Sequence, residues 1–147
     1  MFKRVLIPTD GSKVARRAIK AGVALAKKLG ARVTAYHALE AFQPYVYSEG
    51  YVLNTATLRN FEERARGLAR KYLGEVEKAA KAAGVKCDTV VSKPATPAQG
   101  IIDAARKKRC DVIVMASHGR GEFAALVLGS VTQKVLARTR IPVLVFR

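Results

Sequence analysis

Residues 116–132 read A-S-H-G-R-G-E-F-A-A-L-V-L-G-S-V-T. They follow an apolar run at residues 112–115, V-I-V-M, that is typical of a fully buried parallel strand. Gly129 and Ser130 stand where an amphipathic helix begins. Glycine permits close approach by a ligand, and the first N–H groups of a helix can surround an anion. The segment, called here the phosphate loop, is therefore predicted to bind phosphate.

On both sides of the phosphate loop, predicted strands and helices alternate strictly. Because such alternation is typical of a parallel sheet covered on both faces, it predicts an α/β, Rossmann-like, doubly wound sheet of five strands. The chain of 147 residues fits one domain, residues 1–147. The predicted strands lie at residues 5–7, 31–38, 85–92, 111–115 and 141–146, and the predicted helices at 13–29, 55–83, 97–109 and 130–139.

The predicted helix ends carry recognisable signals. Ser12 is a plausible N-cap for the first helix, and Gly30 and Gly84 end the first and second helices. Thr96-Pro97-Ala98-Gln99 has the pattern of a capping box with proline at the first helical position. These signals give the alternation definite boundaries.

The longest irregular stretch is predicted at residues 39–54. Four aromatic residues, Phe42, Tyr45, Tyr47 and Tyr51, lie in it. Loops of this length are often lids or contact surfaces. The other interpretation is that the aromatic side chains pack on the edge of the core or on a partner subunit.

Composition limits the classes of function. No apolar run approaches the ~18–20 residues that span a bilayer, and no signal peptide follows the amino terminus, so we expect a cytoplasmic protein without a membrane partner. Cys87 and Cys110 lack disulfide or metal-ligand spacing, which predicts free thiols and no metal site. The net charge of +16 favours binding to polyanions, but the basic residues are spread over every helix and no nucleic-acid-binding motif accompanies them. This argues against specific nucleic-acid binding.

The predicted topology brings two chain segments together. A doubly wound sheet binds ligands at the carboxyl ends of its strands where the strand order reverses, here between the first and fourth strands. Asp10 can then accept hydrogen bonds from ribose hydroxyls, or it can be a turn residue that bonds its own backbone. The residues that follow the two strands are Pro8, Thr9 and Asp10, and Ala116, Ser117, His118 and Gly119.

These residues resemble the universal stress protein family, whose signature after the fourth strand is G-x2-G-x9-G-[ST]. Gly119 is the second glycine of that pattern, and Gly129-Ser130 completes it after nine residues. The opening V-L-I-P-T-D-G-S and the closing I-P-V-L-V are also similar to the family, so the resemblance covers the whole chain.

The resemblance implies a sheet of the adenine-nucleotide-binding type that holds ATP or AMP, with or without Mg²⁺. It also implies a homodimer through the terminal strand, which begins at Ile141 and ends at Phe146; an exposed apolar edge strand would favour such association. Residues implied to contact adenine and ribose are Pro8, Thr9, Asp10 and Ala38, and those implied to hold the phosphates are Ser117, Gly119, Gly129, Ser130, Val131 and Thr132. Ala116, His118 and Arg120 lie in the same loop and complete the predicted nucleotide-binding set.

One position departs from the family pattern, because Ala116 replaces its first glycine. If this position needs a positive φ, alanine costs about 1–2 kcal/mol. If its backbone is extended, the methyl group only crowds the ribose. The sequence leaves both alternatives open.

Other signals carry less weight. Gly119, Gly121 and Ala124 match the dinucleotide pattern G-x-G-x-x-A, but after the fourth strand and without the acidic residue that should follow. His118 is a candidate phosphate contact rather than a catalytic base, and His37 is interpreted as a packed strand residue. Arg120 either pairs with a phosphate or is solvated.

The sequence thus predicts a nucleotide-binding regulatory module of the stress response with an unidentified protein partner and at most slow ATP hydrolysis. No residue is assigned a catalytic role. Two rivals remain: a stress-family interaction protein that binds no nucleotide, and a polyanion-binding or nucleic-acid-binding protein driven by charge.

Overall fold

The computed structural model describes residues 1–41, 55–118 and 128–147. The aromatic residues Phe42, Tyr45, Tyr47 and Tyr51 lie outside the described residues, so neither interpretation of them is tested. The described elements alternate as predicted: β1 Arg4–Pro8, α1 Lys13–Leu29, β2 Arg32–Ala38, α2 Thr55–Ala83, β3 Cys87–Ser92, α3 Pro97–Lys107, β4 Val112–Ala116, α4 Ser130–Arg138 and β5 Val143–Phe146.

The sheet is parallel throughout, in the order β3-β2-β1-β4-β5. β1 is central, and its Val5 pairs with Val33 of β2 on one side and with Val112 of β4 on the other. The predicted five-stranded, doubly wound α/β fold is confirmed. The strand order reverses between β1 and β4, as expected.

Alternate residues of the central strands point into two separate cores. Val5, Ile7 and Val114 pack with residues of α1 and α2 on one face. Leu6 and Ile113 pack on the other face with residues of α3 and α4. Both faces of the sheet are therefore covered, which explains why its central strands read as continuous apolar runs.

Most of the predicted helix caps form. Ser12 Oγ accepts a hydrogen bond from the Ala15 N–H at 3.1 Å, and Gly30 ends α1 with a φ of 61°. Thr96 Oγ1 accepts from the Gln99 N–H at 3.3 Å, but the Gln99 side chain bonds Asp103 Oδ1 at 2.9 Å instead of returning to Thr96. Half of the predicted capping box forms, because a carboxylate one turn away offers Gln99 a charge-assisted bond.

Some boundaries differ from the prediction. β5 begins at Val143, two residues later than expected, because Pro142 has no N–H to donate. The Pro142 carbonyl still accepts from the Ile113 N–H at 2.9 Å. β3 begins at Cys87, and α3 ends at Lys107, before Arg109 with its positive φ of 52°.

Within the described ranges, no helix is long and apolar enough to cross a membrane. The ion pairs found there are Arg16–Glu75, Arg32–Asp88, Arg59–Glu63 and Lys93–Glu62. They occupy four of the 27 basic residues of the chain, so much of the positive charge has no carboxylate partner in the described part.

Candidate functional site

A cavity of about 610 Å³ opens at the carboxyl ends of β1, β2 and β4, where the strand order reverses. We call it the main cavity. Most of the site residues expected from the sequence line it, although they come from widely separated segments. These residues are Pro8, Thr9, Asp10, Ala38, Ala116, His118, Gly129, Ser130, Val131 and Thr132.

Of the other three expected residues, one lies outside the main cavity and two are not described. Ser117 is not among the residues that line the main cavity; it lines a second, neighbouring cavity and is only 3% exposed. Gly119 and Arg120 lie outside the described residues, as does the G-x-G-x-x-A pattern that begins at Gly119.

The turn after β1 holds Asp10 at the mouth of the main cavity. Asp10 Oδ1 accepts a hydrogen bond from the Ser12 N–H at 3.0 Å, and Thr9 Oγ1 accepts from the Gly11 N–H at 3.2 Å. Gly11 has a φ of 77°, and a Cβ at this position would overlap the Tyr72 ring. Asp10 is therefore a turn residue that also lines the cavity, so the two interpretations of it are compatible.

His37 is a packed strand residue, as interpreted from the sequence. It is 8% exposed, and its ring meets the edge of Tyr72 with 5.5 Å between centroids. Its Nδ1 lies 2.8 Å from the Thr9 carbonyl oxygen, which can only accept, so Nδ1 carries the hydrogen. His37 also lines the main cavity and positions the turn that carries Asp10.

Ala116 occupies the last position of β4 in extended backbone, paired with Phe146 of β5. Arg109 is the one described non-glycine residue with a positive φ, so the alanine carries no left-handed strain. The Ala116 carbonyl accepts from Thr132 Oγ1 at 3.0 Å, and Thr132 is 2% exposed. The Thr132 hydroxyl thus fixes the first turn of α4 to the end of β4.

The start of α4 presents unpaired donors. Gly129 donates its N–H to the Ser117 carbonyl at 2.7 Å and has no side chain to cap the helix. Among the described residues, no acceptor bonds the N–H groups of Ser130, Val131 and Thr132. The three residues line the main cavity at the positive end of a helix dipole, an arrangement that attracts anions.

Gly129 is needed because two backbone segments approach closely. A Cβ added there would lie 3.0 Å from His118 Cα and 3.2 Å from the Ser117 carbonyl oxygen. Its backbone is extended, with a φ of −60°, so close packing rather than an unusual φ requires glycine.

Sequence reasoning missed several lining residues of the main cavity, all of them apolar or aromatic except Glu40. The missed residues that line it are Ala15, Tyr36, Glu40, Pro97, Ile101, Met115 and Leu128. Burial raises the pKa of Tyr36, whose hydroxyl lies 2.8 Å from Ser92 Oγ, and the phenol therefore stays neutral. The signal that could have identified some of these residues is their position, since Tyr36 and Met115 lie near the carboxyl ends of β2 and β4.

The acidic residues among the described lining of the main cavity are Asp10 and Glu40. No group of three or more His, Cys, Asp or Glu residues that could hold a metal ion occurs in the described ranges. The site as described combines apolar walls, two carboxylates and a helix N-terminus.

The whole chain, residues 1–147, matches the model of the universal stress protein family. A universal stress protein of Thermus aquaticus is 34% identical over 147 residues, and the match covers 100% of both chains. The resemblance recognised in the sequence is confirmed.

Solved structures share the fold. The universal stress protein UspA from Lactobacillus plantarum superposes with a TM-score of 0.76 at 22% identity, covering 99% of this chain and 98% of that one. A universal stress protein in complex with cAMP gives 0.69 at 23% identity, with 99% and 97% covered. One from Archaeoglobus fulgidus in complex with dAMP gives 0.69 at 16% identity, with 100% and 98% covered.

Proposed function

The chain belongs to the universal stress protein family, and we propose that its main cavity binds an adenine nucleotide, ATP or AMP. The protein would then be a nucleotide-binding regulatory module of the stress response, whose occupancy a protein partner reads. The complexes of two structural neighbours with cAMP and dAMP support an adenine nucleotide as the ligand class.

The observation that carries this proposal is that one cavity joins unpaired N–H groups to a carboxylate. The first turn of α4 offers the N–H groups of Ser130, Val131 and Thr132, while Asp10 lies on the turn after β1. The N–H groups suit phosphate, and the carboxylate suits ribose hydroxyls.

The apolar wall supplies the place for the base. Tyr36, Ala38 and Met115 border the same cavity near the strand ends, and Ile101 of α3 closes it from above the sheet. A volume of about 610 Å³ falls in the range of cavities that bury small ligands. Adenine would bind against this wall, with the ribose at Asp10 and the first phosphate at α4.

We propose that the site holds the nucleotide and contributes little catalysis. Mg²⁺ arriving with ATP would be held mainly by the phosphates and by water. His118 Nδ1 lies 2.9 Å from Ser117 Oγ, so its ring is hydrogen-bonded to the neighbouring residue. Hydrolysis would be slow and would result from positioning of the phosphates.

Calorimetric titration of the nucleotide-stripped protein with ATP and with AMP, each with and without Mg²⁺, tests the proposal. We expect micromolar dissociation constants. GTP is the matched control, because it carries the same phosphates on a different base. No heat with any adenine nucleotide would refute the proposal and favour the rival in which this family member acts through its surface.

We also propose that the protein is a homodimer through β5. Among the described strands, β5 is bonded only to β4, and its Leu144 is 40% exposed. An apolar edge strand can pair with a second copy of itself. Sedimentation equilibrium should give twice the chain mass, and Leu144→Lys should shift the protein to monomer; a monomeric parent protein would refute the assignment.

A further inference from the structure

A second cavity of about 390 Å³ lies beside the main cavity, between the start of α1 and the chain that follows β4 and β5. We call it the cationic cavity. Its described lining is Lys13, Val14, Arg17, Ser117, His118, Leu128 and Arg147. His118 and Leu128 line both cavities, so the two adjoin at the segment that leads into α4.

Three basic side chains give the cationic cavity its charge. Lys13 and Arg17 are one turn apart on α1, and Arg147 follows β5. Arg17 Nη1 lies 3.4 Å from the main-chain oxygen of Arg147, which places the two residues side by side.

No carboxylate side chain offsets this charge in the described part of the cavity. Asp10 and Glu40 line the main cavity alone. Arg16, next to Arg17 in the chain, pairs with Glu75 at 3.1 Å, whereas neither Lys13 nor Arg17 forms an ion pair with a described Asp or Glu side chain. Arg17 therefore bonds only a main-chain oxygen among the described residues, and Lys13 and Arg17 both border a concave space rather than a flat helix surface.

The Ser117–His118 pair adds a hydrogen-bond donor between the cavities. Ser117 Oγ and His118 Nδ1 lie 2.9 Å apart, and either atom can hold the shared hydrogen. If the hydroxyl donates to Nδ1, the ring hydrogen of the neutral tautomer is on Nε2. If Nδ1 donates to the hydroxyl oxygen, the hydroxyl hydrogen is free to donate to another acceptor. In either arrangement, the pair has one further hydrogen to donate.

We propose that the cationic cavity binds phosphate groups beyond the first phosphate of a nucleotide held in the main cavity. This inference rests on the proposed function. The N–H groups at α4 would take the first phosphate, and Lys13 and Arg17 would take those that follow across His118. Such a site makes the protein selective for nucleotides with longer phosphate chains, so that ATP binds more tightly than AMP. A free polyphosphate has the same chemistry and is the other source of the ligand.

The test compares ATP, ADP, AMP and inorganic tripolyphosphate by calorimetry on the full chain. The variant is Lys13→Gln/Arg17→Gln. The matched control is Lys20→Gln/Lys27→Gln, which removes the same charge from exposed positions of α1 outside both cavities. We expect the parent protein and the control to bind ATP about tenfold more tightly than AMP. The Lys13→Gln/Arg17→Gln variant should lose this difference while keeping its affinity for AMP.

Equal affinities of the parent protein for ATP and AMP would overturn the inference, and so would equal losses in the variant and the control. In both cases the binding of AMP would leave the proposed function standing. If no nucleotide binds, the proposed function fails, and the titration with tripolyphosphate alone decides whether the cationic cavity binds free polyphosphate. Binding of tripolyphosphate that disappears in the variant and persists in the control supports a site for free polyphosphate; any other result overturns it.

Discussion

The two ends of the β1–β4 strand pair use aspartate in opposite ways. At the amino end, Asp111 accepts hydrogen bonds from the Lys3 N–H at 2.8 Å and the Arg4 N–H at 3.0 Å. Its own N–H donates to the Arg4 carbonyl at 2.9 Å. At the carboxyl end, Asp10 bonds the Ser12 N–H within its own turn and lines the main cavity.

The chain path explains the difference. Beyond the carboxyl end, β1 leads to α1 on one face of the sheet, and the segment after β4 leads to α4 on the other. The two exits diverge and leave a cavity between them. At the amino end the chains remain in contact, so Asp111 bridges them. An aspartate side chain therefore joins the two strands at one end of the pair, and another aspartate borders the main cavity at the other end.

Gly129→Val should have the largest effect, and it should affect the carboxyl end alone. Because the added side chain meets His118 Cα and the Ser117 carbonyl, it displaces the first turn of α4. We expect affinity for ATP, measured by calorimetry, to fall more than about 100-fold as the N–H contacts to phosphate are lost.

Gly67→Ala is the control for this change. Nothing lies within 4 Å of a Cβ at Gly67 inside α2, so affinity should be unchanged and the helix should gain about 0.5–1 kcal/mol. Unaltered ATP affinity in Gly129→Val would show that the phosphates bind elsewhere.

Substitution of each aspartate by alanine tests whether the two ends of the strand pair have separate roles. Asp10→Ala should weaken AMP about tenfold and leave binding of inorganic phosphate unchanged, because the ribose contact is lost. Asp111→Ala should lower the free energy of unfolding by about 2 kcal/mol, because two bridging hydrogen bonds to a charged acceptor disappear, and should leave AMP affinity unchanged.

Calorimetry and urea denaturation on both variants check this pair of predictions. If Asp10→Ala lowers binding of AMP and of phosphate equally, Asp10 has no ribose role. If Asp111→Ala weakens AMP as much as Asp10→Ala does, the two ends do not act separately.

The smallest effect concerns the amino end of β3. Burial raises the pKa of the Cys87 thiol from 9.0 to about 11. Above pH 9 the unfolded chain releases the thiol proton, whereas the native state keeps it until about pH 11. The contribution of Cys87 to the free energy of unfolding is therefore complete below pH 9 and is lost as the pH rises to 11. Allowing for the partial exposure of Cys87, the loss should be about 1 kcal/mol.

Urea unfolding of the parent protein and of Cys87→Ala between pH 8 and pH 11 measures this effect. The difference in unfolding free energy between them should shrink as the pH rises, while the contribution of buried Cys110, whose pKa burial also raises, is common to both proteins and cancels. A constant difference would show that the thiol at this end is as accessible to water as in the unfolded chain.

Much of the fold was predictable because its signals are local. Apolar runs, the Ser12 cap and the terminating Gly30 lie within a few residues of the structure they determine. The strict alternation then implied where the strand order reverses, and so where the chain segments after β1 and β4 would meet. The sequence alone determined the fold class and the location of the candidate site.

Tertiary structure decided what the sequence left open. Ala116 is extended because β4 pairs with β5, and Ile101 reaches the main cavity because α3 packs over the sheet. Lys13 and Arg147 line the same cationic cavity although most of the chain separates them in sequence. Such contacts depend on how elements pack against each other, and no periodicity or cap within one element encodes the distance to another.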